Sequence, residues 1–145
     1  DMEQIISLFK GTVLNVNIRD YSPRQVKVWA DRGNSLIERI DIFKEMYTIV
    51  AEDKGIITGY GNVTDEGYID HLYVHKDYQN MGIATEICNL LETYAKSKGV
   101  KCFSVHASIT AKGFFARIGY RSVRKQQVPL DGIFLTNFVM EKLVN

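Results

Sequence analysis

The stretch LYVHKDYQNMGIA, residues 72–84, decides how the chain is read. It leaves a β-branched and aromatic run, crosses a polar turn, and enters a helix behind a single glycine. The first turn of a helix exposes backbone N–H groups without intrahelical partners, and the helix dipole adds partial positive charge there. Small residues beside that turn, Gly82 and Ala84, allow an anion to come close. The patterns GxGxxG and GxxxxGK[ST] are both absent. Taken alone, the stretch reads first as a plain glycine-led helix start.

Working outward, GIATEICNLLETYAKSKG (82–99) is the strongest helix signal. Ile83, Ile87, Leu90, Leu91 and Tyr94 form an apolar stripe, and Gly99 is a natural stop. Upstream, residues 46–53, 56–63 and 67–74 are three strands joined by tight turns, an antiparallel meander. Downstream come a strand (100–107), a short helix (108–119) capped by Ser108 or Thr110, and two strands (120–128, 133–143). Pro129 to Gly132 join the last two. The N-terminal third is helical. A helix over 2–10 ends at Gly11, a second opens on Ser22 and Pro23, and a third lies within 34–45. The second carries Val26, Trp29 and Ala30 on one face. The crossover makes strands 67–74 and 100–106 parallel neighbours in an otherwise antiparallel sheet. The expectation is an α/β fold with a mixed sheet, its ligand where the connections diverge.

Composition narrows the function classes. The chain has 145 residues, 46% hydrophobic and 24% charged, which suits one domain over 1–145 with a sizeable core. Its net charge of +1 leaves no basic field for a nucleic-acid backbone. No apolar run approaches the ~20 residues of a bilayer span. The first ten residues carry acids and no continuous apolar core, so no signal peptide is expected. Cys88 and Cys102 lack metal-ligand spacing and read as buried thiols of a cytoplasmic protein, with no metal site.

The stretch 72–84, the long helix after it and a later AKGFFARIGY (111–120) together resemble the GNAT superfamily of acyl-CoA-dependent N-acetyltransferases. The family pattern (Gln/Arg)-x-x-Gly-x-(Gly/Ala) is matched by Gln79, Gly82 and Ala84. A second family motif, Asn-x-x-Ala-x-x-Phe-Tyr-x-x-x-Gly-Phe, reads here with Ser108, Ala111, Phe114, Phe115, Gly119 and Tyr120. The resemblance covers about residues 36–144. Family members usually open with a strand before the first helix, and that strand is expected to be missing here.

The resemblance implies acetyl-CoA as co-substrate. Its pyrophosphate would rest on the turn made by Gln79, Asn80, Met81, Gly82, Ile83, Ala84 and Thr85. Its pantetheine arm would run beside Leu72, Tyr73 and Val74, with Ser108 and Phe115 on the opposite wall. An amide near Val74 would polarise the acetyl carbonyl. The attacking amine must be neutral, which calls for a general base. Asp70 is the first candidate, with Tyr68 on its face of the strand. His71 should face away unless a bulge intervenes. His106 shares parity with Ser108 and is a further candidate. A solvated acid and two structural histidines are the plainer readings of these three. The tyrosine that usually protonates the departing thiolate is Phe115 here, which leaves that role to water or to another hydroxyl, Tyr73 or Tyr120, or else the thiolate departs unprotonated. Ser108 serves equally as a helix cap, Lys112 and Arg117 as solvated charges, and Phe114 and Tyr120 as core. Tyr21 and Trp29 either line the acceptor site or anchor their helix. The implied reaction is direct acetyl transfer in a ternary complex to a primary amine of a small molecule or peptide. The alternatives are a non-catalytic acyl-CoA-binding sensor or interaction domain, and a nucleotide-binding domain. An edge strand near the C-terminus leaves a homodimer open.

Overall fold

The structure is a computed structural model that describes residues 2–144. It opens with α1 (Met2–Asn15), a 3-10 turn (Asn17–Arg19), α2 (Pro23–Asp31), a 3-10 stretch (Arg32–Arg39) and α3 (Ile40–Glu45). The strands β1 (Tyr47–Asp53), β2 (Ile56–Val63) and β3 (Tyr68–Val74) follow, then α4 (Ile83–Ser97), β4 (Cys102–Ser108), α5 (Ile109–Arg117), β5 (Arg121–Leu130) and β6 (Ile133–Leu143). The six strands form one sheet in the order β1-β2-β3-β4-β6-β5. Only β3 and β4 run parallel, as the crossover required. The turns after β1 and β5 place Lys54, Gly55, Asp131 and Gly132 at positive φ, the geometry that tight hairpins favour. That second turn is shorter than the sequence suggested, because Pro129 and Leu130 still pair with β6.

Each face of the sheet carries its own core. Helices α4 and α5 cover one face, where Ile87, Leu91, Phe103, Val105, Phe115 and Met140 pack together. Helices α1 to α3 cover the other, α1 over β2 and β3, α2 against β6 and α3 against β1, around Leu8, Phe9, Val13, Val26, Leu36 and Tyr60. Helix α1 does not stop at Gly11. A helical glycine costs about 1 kcal/mol, but Thr12 and Val13 beyond it are buried. Thr12 Oγ1 also donates to the Val74 carbonyl at 2.8 Å, which ties the end of α1 to the end of β3. The apolar stripe of α4 is narrower than its spacing implied: Leu91 is fully buried, whereas Leu90 is 45% exposed.

That contrast is testable by urea denaturation. Leu91→Ala should cost about 2–5 kcal/mol through the cavity it opens. Leu90→Ala should stay within about 0.5 kcal/mol of the parent. Equal losses at the two positions would mean that α4 is rotated from the orientation described.

Candidate active site

Strands β3 and β4 pair through only Tyr68 with Ser104 and Ile69 with Val105. Beyond that point they part, although β3 continues to Val74 and β4 to Ser108. A cavity of about 560 Å³ fills the gap. Leu72, Tyr73 and Val74 line one side and His106, Ala107 and Ser108 the other. The direction of the free β3 amides follows from alternation. His75 N–H goes to the Thr58 carbonyl of β2 at 2.8 Å, and His71 N–H goes to Asn62 Oδ1 at 2.8 Å. Successive residues turn their N–H groups to opposite edges, so those of Leu72 and Val74 face the gap.

The turn after β3 closes one end of the cavity. Gln79 Nε2 donates to the Val74 carbonyl at 2.7 Å, which folds the turn back onto the strand. Asn80 and Gly82 take positive φ, 61° and 82°. Gly82 precedes α4 without any side-chain cap. Glu86 N–H, bonded to the Gly82 carbonyl at 3.1 Å, is the first to join the helix ladder. The N–H groups of Ile83, Ala84 and Thr85 precede it at the cavity wall. A Cβ placed on Gly82 would meet nothing within 4 Å. The glycine is therefore demanded by its left-handed backbone rather than by crowding. Met81 departs from its expected place. Its side chain is 66% exposed and turns into a separate groove beside β1, so among the turn residues it does not line the cavity.

The opposite wall is less regular. Ser108 caps α5, its Oγ accepting from Ala111 N–H at 3.0 Å. With that role taken, Thr110 Oγ1 is left buried at the cavity without a partner among the described residues. The sequence weighed Thr110 only as a cap and missed it here. Phe115 is 2% exposed and reaches the cavity wall from the core. Phe114, expected in the core, also lines the cavity. Asn17, Arg19 and Trp29 wall the side nearest α1 and α2. No sequence signal distinguished Asn17 and Arg19, which lie in a short turn with no motif. Arg117 is at the rim, whereas Lys112 sits over the Phe138 ring at 4.1 Å. Tyr21 is an anchor: its hydroxyl donates to the Thr136 carbonyl at 2.6 Å and accepts Ile109 N–H at 2.8 Å.

The titratable candidates are sorted by a β-bulge. Asn62 pairs with His71 and Val63 with Ile69, so Asp70 is an extra residue on β3. A bulge sets consecutive side chains on one side. Asp70 lines the cavity, and His71 lies behind it, 8% exposed, with Nε2 3.7 Å from Asp70 Oδ2. His71 is thus not itself at the cavity wall among the described residues. Burial lowers its pKa below the usual histidine value, the Asp70 charge opposes that, and Arg39 adds to it. His106 is exposed at the cavity edge, its ring 5.2 Å from that of Tyr68. Tyr73 faces the cavity. Burial pushes its phenol well above the ordinary tyrosine range, the Trp29 indole N–H works against this, and Asp70 adds to it. Tyr120 is removed as a thiolate partner. It is outside the cavity wall and donates to Glu92 Oε2 at 2.7 Å, with its pKa held high by burial and then by that carboxylate. Burial also pushes the Cys88 thiol up to about 12, which makes it a poor nucleophile.

Residues 17–142 match the family model of the acetyltransferase (GNAT) domain. The chain belongs to the GNAT acetyltransferase family. It is 32% identical over 142 residues to the uncharacterized N-acetyltransferase YafP of Escherichia coli, covering 97% of this chain and 88% of that one. A GCN5-related N-acetyltransferase from Rhodopseudomonas palustris superposes with a TM-score of 0.95 at 28% identity, covering 99% and 90% of the two chains. The fold also matches the PaiA N-acetyltransferase of Thermoplasma acidophilum in complex with coenzyme A (TM-score 0.78, 17% identity, 99% and 93% covered). Among the described residues no helix is long and apolar enough to cross a membrane, and no cluster of metal-ligating side chains occurs.

The buried His71 gives stability a pH signature. Its folded pKa lies below the unfolded value near 6.5. As pH falls through about 6.5, the unfolded chain binds this proton first, so stability is lost; above that value the group contributes nothing. Denaturation midpoints should therefore fall more steeply below pH 6.5 for the parent than for His71→Gln. Parallel curves would mean that His71 titrates normally.

Proposed function

We propose that this GNAT member transfers the acetyl group of acetyl-CoA to a primary amine of a small molecule or peptide, by direct attack in a ternary complex. One observation carries the reading. A single cavity holds the uncapped first turn of α4, the free amides of β3 and the carboxylate of Asp70. A long, bent ligand with an anion at one end and a reactive carbonyl at the other fits that layout. The orphaned Thr110 hydroxyl offers a polar partner along the wall. The coenzyme A complex of the PaiA relative supports the same ligand class here.

In this reading the N–H groups of Ile83, Ala84 and Thr85 hold phosphate oxygens. The Leu72 and Val74 amides pair with the pantetheine arm and polarise the acyl carbonyl. Acetyl-CoA supplies an activated acyl carbon. Asp70 accepts the proton from the incoming ammonium so that a neutral nitrogen attacks. Tyr73 serves the departing sulfur. Its raised pKa keeps the phenol protonated at neutral pH, so it stabilises the thiolate by donating a hydrogen bond rather than by giving the proton away. Cys88 is sealed in the core as a thiol, away from the cavity wall, which favours direct transfer over an acyl-enzyme.

A thermal melt followed by an amine screen tests the assignment. Acetyl-CoA at ~100 times its dissociation constant should stabilise the fold by about 2.7 kcal/mol. Free thiol should then appear with at least one amine of a broad panel. Stabilisation without thiol release on any amine would favour a non-catalytic acyl-CoA sensor. Asp70→Asn should lower turnover by roughly 10²- to 10⁴-fold with acetyl-CoA binding kept; undiminished turnover would remove Asp70 as the base.

The turn is tested separately. Gly82→Val forces a β-branched residue to φ 82°, which costs about 1–2 kcal/mol in that conformation or rebuilds the turn. Stabilisation by acetyl-CoA should disappear while the far-ultraviolet circular dichroism stays that of the parent. Retained affinity would place the phosphates elsewhere.

A further inference from the structure

Behind the cavity, the second histidine-bearing layer has a hydrogen-bond order that the sequence did not suggest. Tyr60 is fully buried, and its hydroxyl lies 3.1 Å from His71 Nδ1. A buried hydroxyl must donate to some acceptor, and among the described residues this ring nitrogen is the one in reach. Burial raises the Tyr60 pKa well above 10, so the phenol keeps its proton to donate. An Nδ1 that accepts leaves the imidazole proton on Nε2. Nε2 is the atom that faces Asp70 Oδ2, at 3.7 Å. The backbone of His71 is fixed too, because its N–H donates to Asn62 Oδ1 at 2.8 Å. The rings of Phe43 and Phe9, at 5.4 and 6.2 Å, pack around the imidazole. The charged groups facing it are Asp70 and Arg39, and the titratable phenols are Tyr60 and Tyr73.

We propose that His71 is a positioning residue for Asp70: Tyr60 holds its ring as the Nε2–H tautomer and Asn62 fixes its backbone, so that Nε2–H holds one carboxylate oxygen and leaves the other for the amine. The proposal rests on the reading of Asp70 as the base. The 3.7 Å separation is longer than a hydrogen bond, and such bonds are commonly long before the reactants bind. The bulge is what makes the arrangement possible, since strict alternation would send Asp70 and His71 to opposite faces. His71 does not pass the proton on. Among the described residues its other ring nitrogen is bonded to a phenol that is itself donating, so the proton taken from the amine returns to solvent through the cavity.

Nitrogen NMR of the histidine-labelled protein reads the tautomer directly, and the chain has only three histidines to assign. His71 should show a protonated Nε2 and an unprotonated Nδ1, and Tyr60→Phe should remove that preference. A protonated Nδ1 in the parent overturns the proposal whatever the enzyme's activity. Kinetics supply the second arm. His71→Leu should lower kcat on the order of tenfold to a hundredfold, with KM for acetyl-CoA unchanged. His71→Gln, whose amide N–H replaces Nε2–H, should recover most of the loss. In an Asp70→Asn background, His71→Leu should have no further effect; additive losses overturn the proposal. Should Asp70→Asn alone leave turnover intact, the assignment of the base fails first, and the positioning role fails with it even if the tautomer is as expected.

Discussion

Two residue pairs of parallel hydrogen bonding, Tyr68 with Ser104 and Ile69 with Val105, join the two halves of the sheet. Everything functional follows from their ending there. A strand edge left open inside a protein carries N–H and C=O groups that must find partners. Here the edge of β3 opens to a cavity instead of to packed side chains. An extended ligand with amide groups of its own can pair with that edge as an added strand would. The parting is held from outside. The Val74 carbonyl accepts from Thr12 and from Gln79, so α1 and the turn before α4 both grip the end of β3. On the far side, β4 is paired with β6 along its whole length, from Cys102–Leu143 to Ser108–Asn137.

Much of this frame was legible in the sequence because its signals are local. The strands β2, β3 and β6 fall on the expected residues, since apolar runs and turn residues bound them on both sides. Ser22 with Pro23 opens α2 in a full capping box with Gln25, as residue types alone suggest. The misreadings share a different cause. Gly11 looked like a stop because the bond that carries α1 past it reaches a residue 62 positions away. Leu90 looked buried because periodicity gives the direction of a stripe but not its width. The Met81 side chain turns into a separate groove, and position within a motif does not say which way a side chain leaves the backbone.

The site was legible in outline and obscure in chemistry for the same reason. The Gln79–Thr85 turn is contiguous, so a motif can describe it. The side chains around Asp70 and Tyr73 come from β2, β3 and α2, and a single bulged residue decides which of them meet. A bulge adds no residue type of its own, so the sequence could name it only as the condition on which His71 would leave the face that alternation assigns.

Phe115 shows how such packing settles which hydroxyl is available. Its ring stands edge-on to both Phe114 and Tyr120, at 5.1 and 5.2 Å, and is almost wholly buried. Tyr120, on one side of it, is already committed: Glu92 accepts from Tyr120 at Oε2, and from Lys142 at Oε1, 2.9 Å away. The tyrosines that line the cavity are Tyr73, on the strand that also carries Asp70, and Tyr78, in the turn after it. Asp70 and Tyr73 stand on one strand, three residues apart, and Asp70 is itself the bulged residue. A change that removed the bulge would restore strict alternation and turn Asp70 and His71 to opposite faces of the sheet.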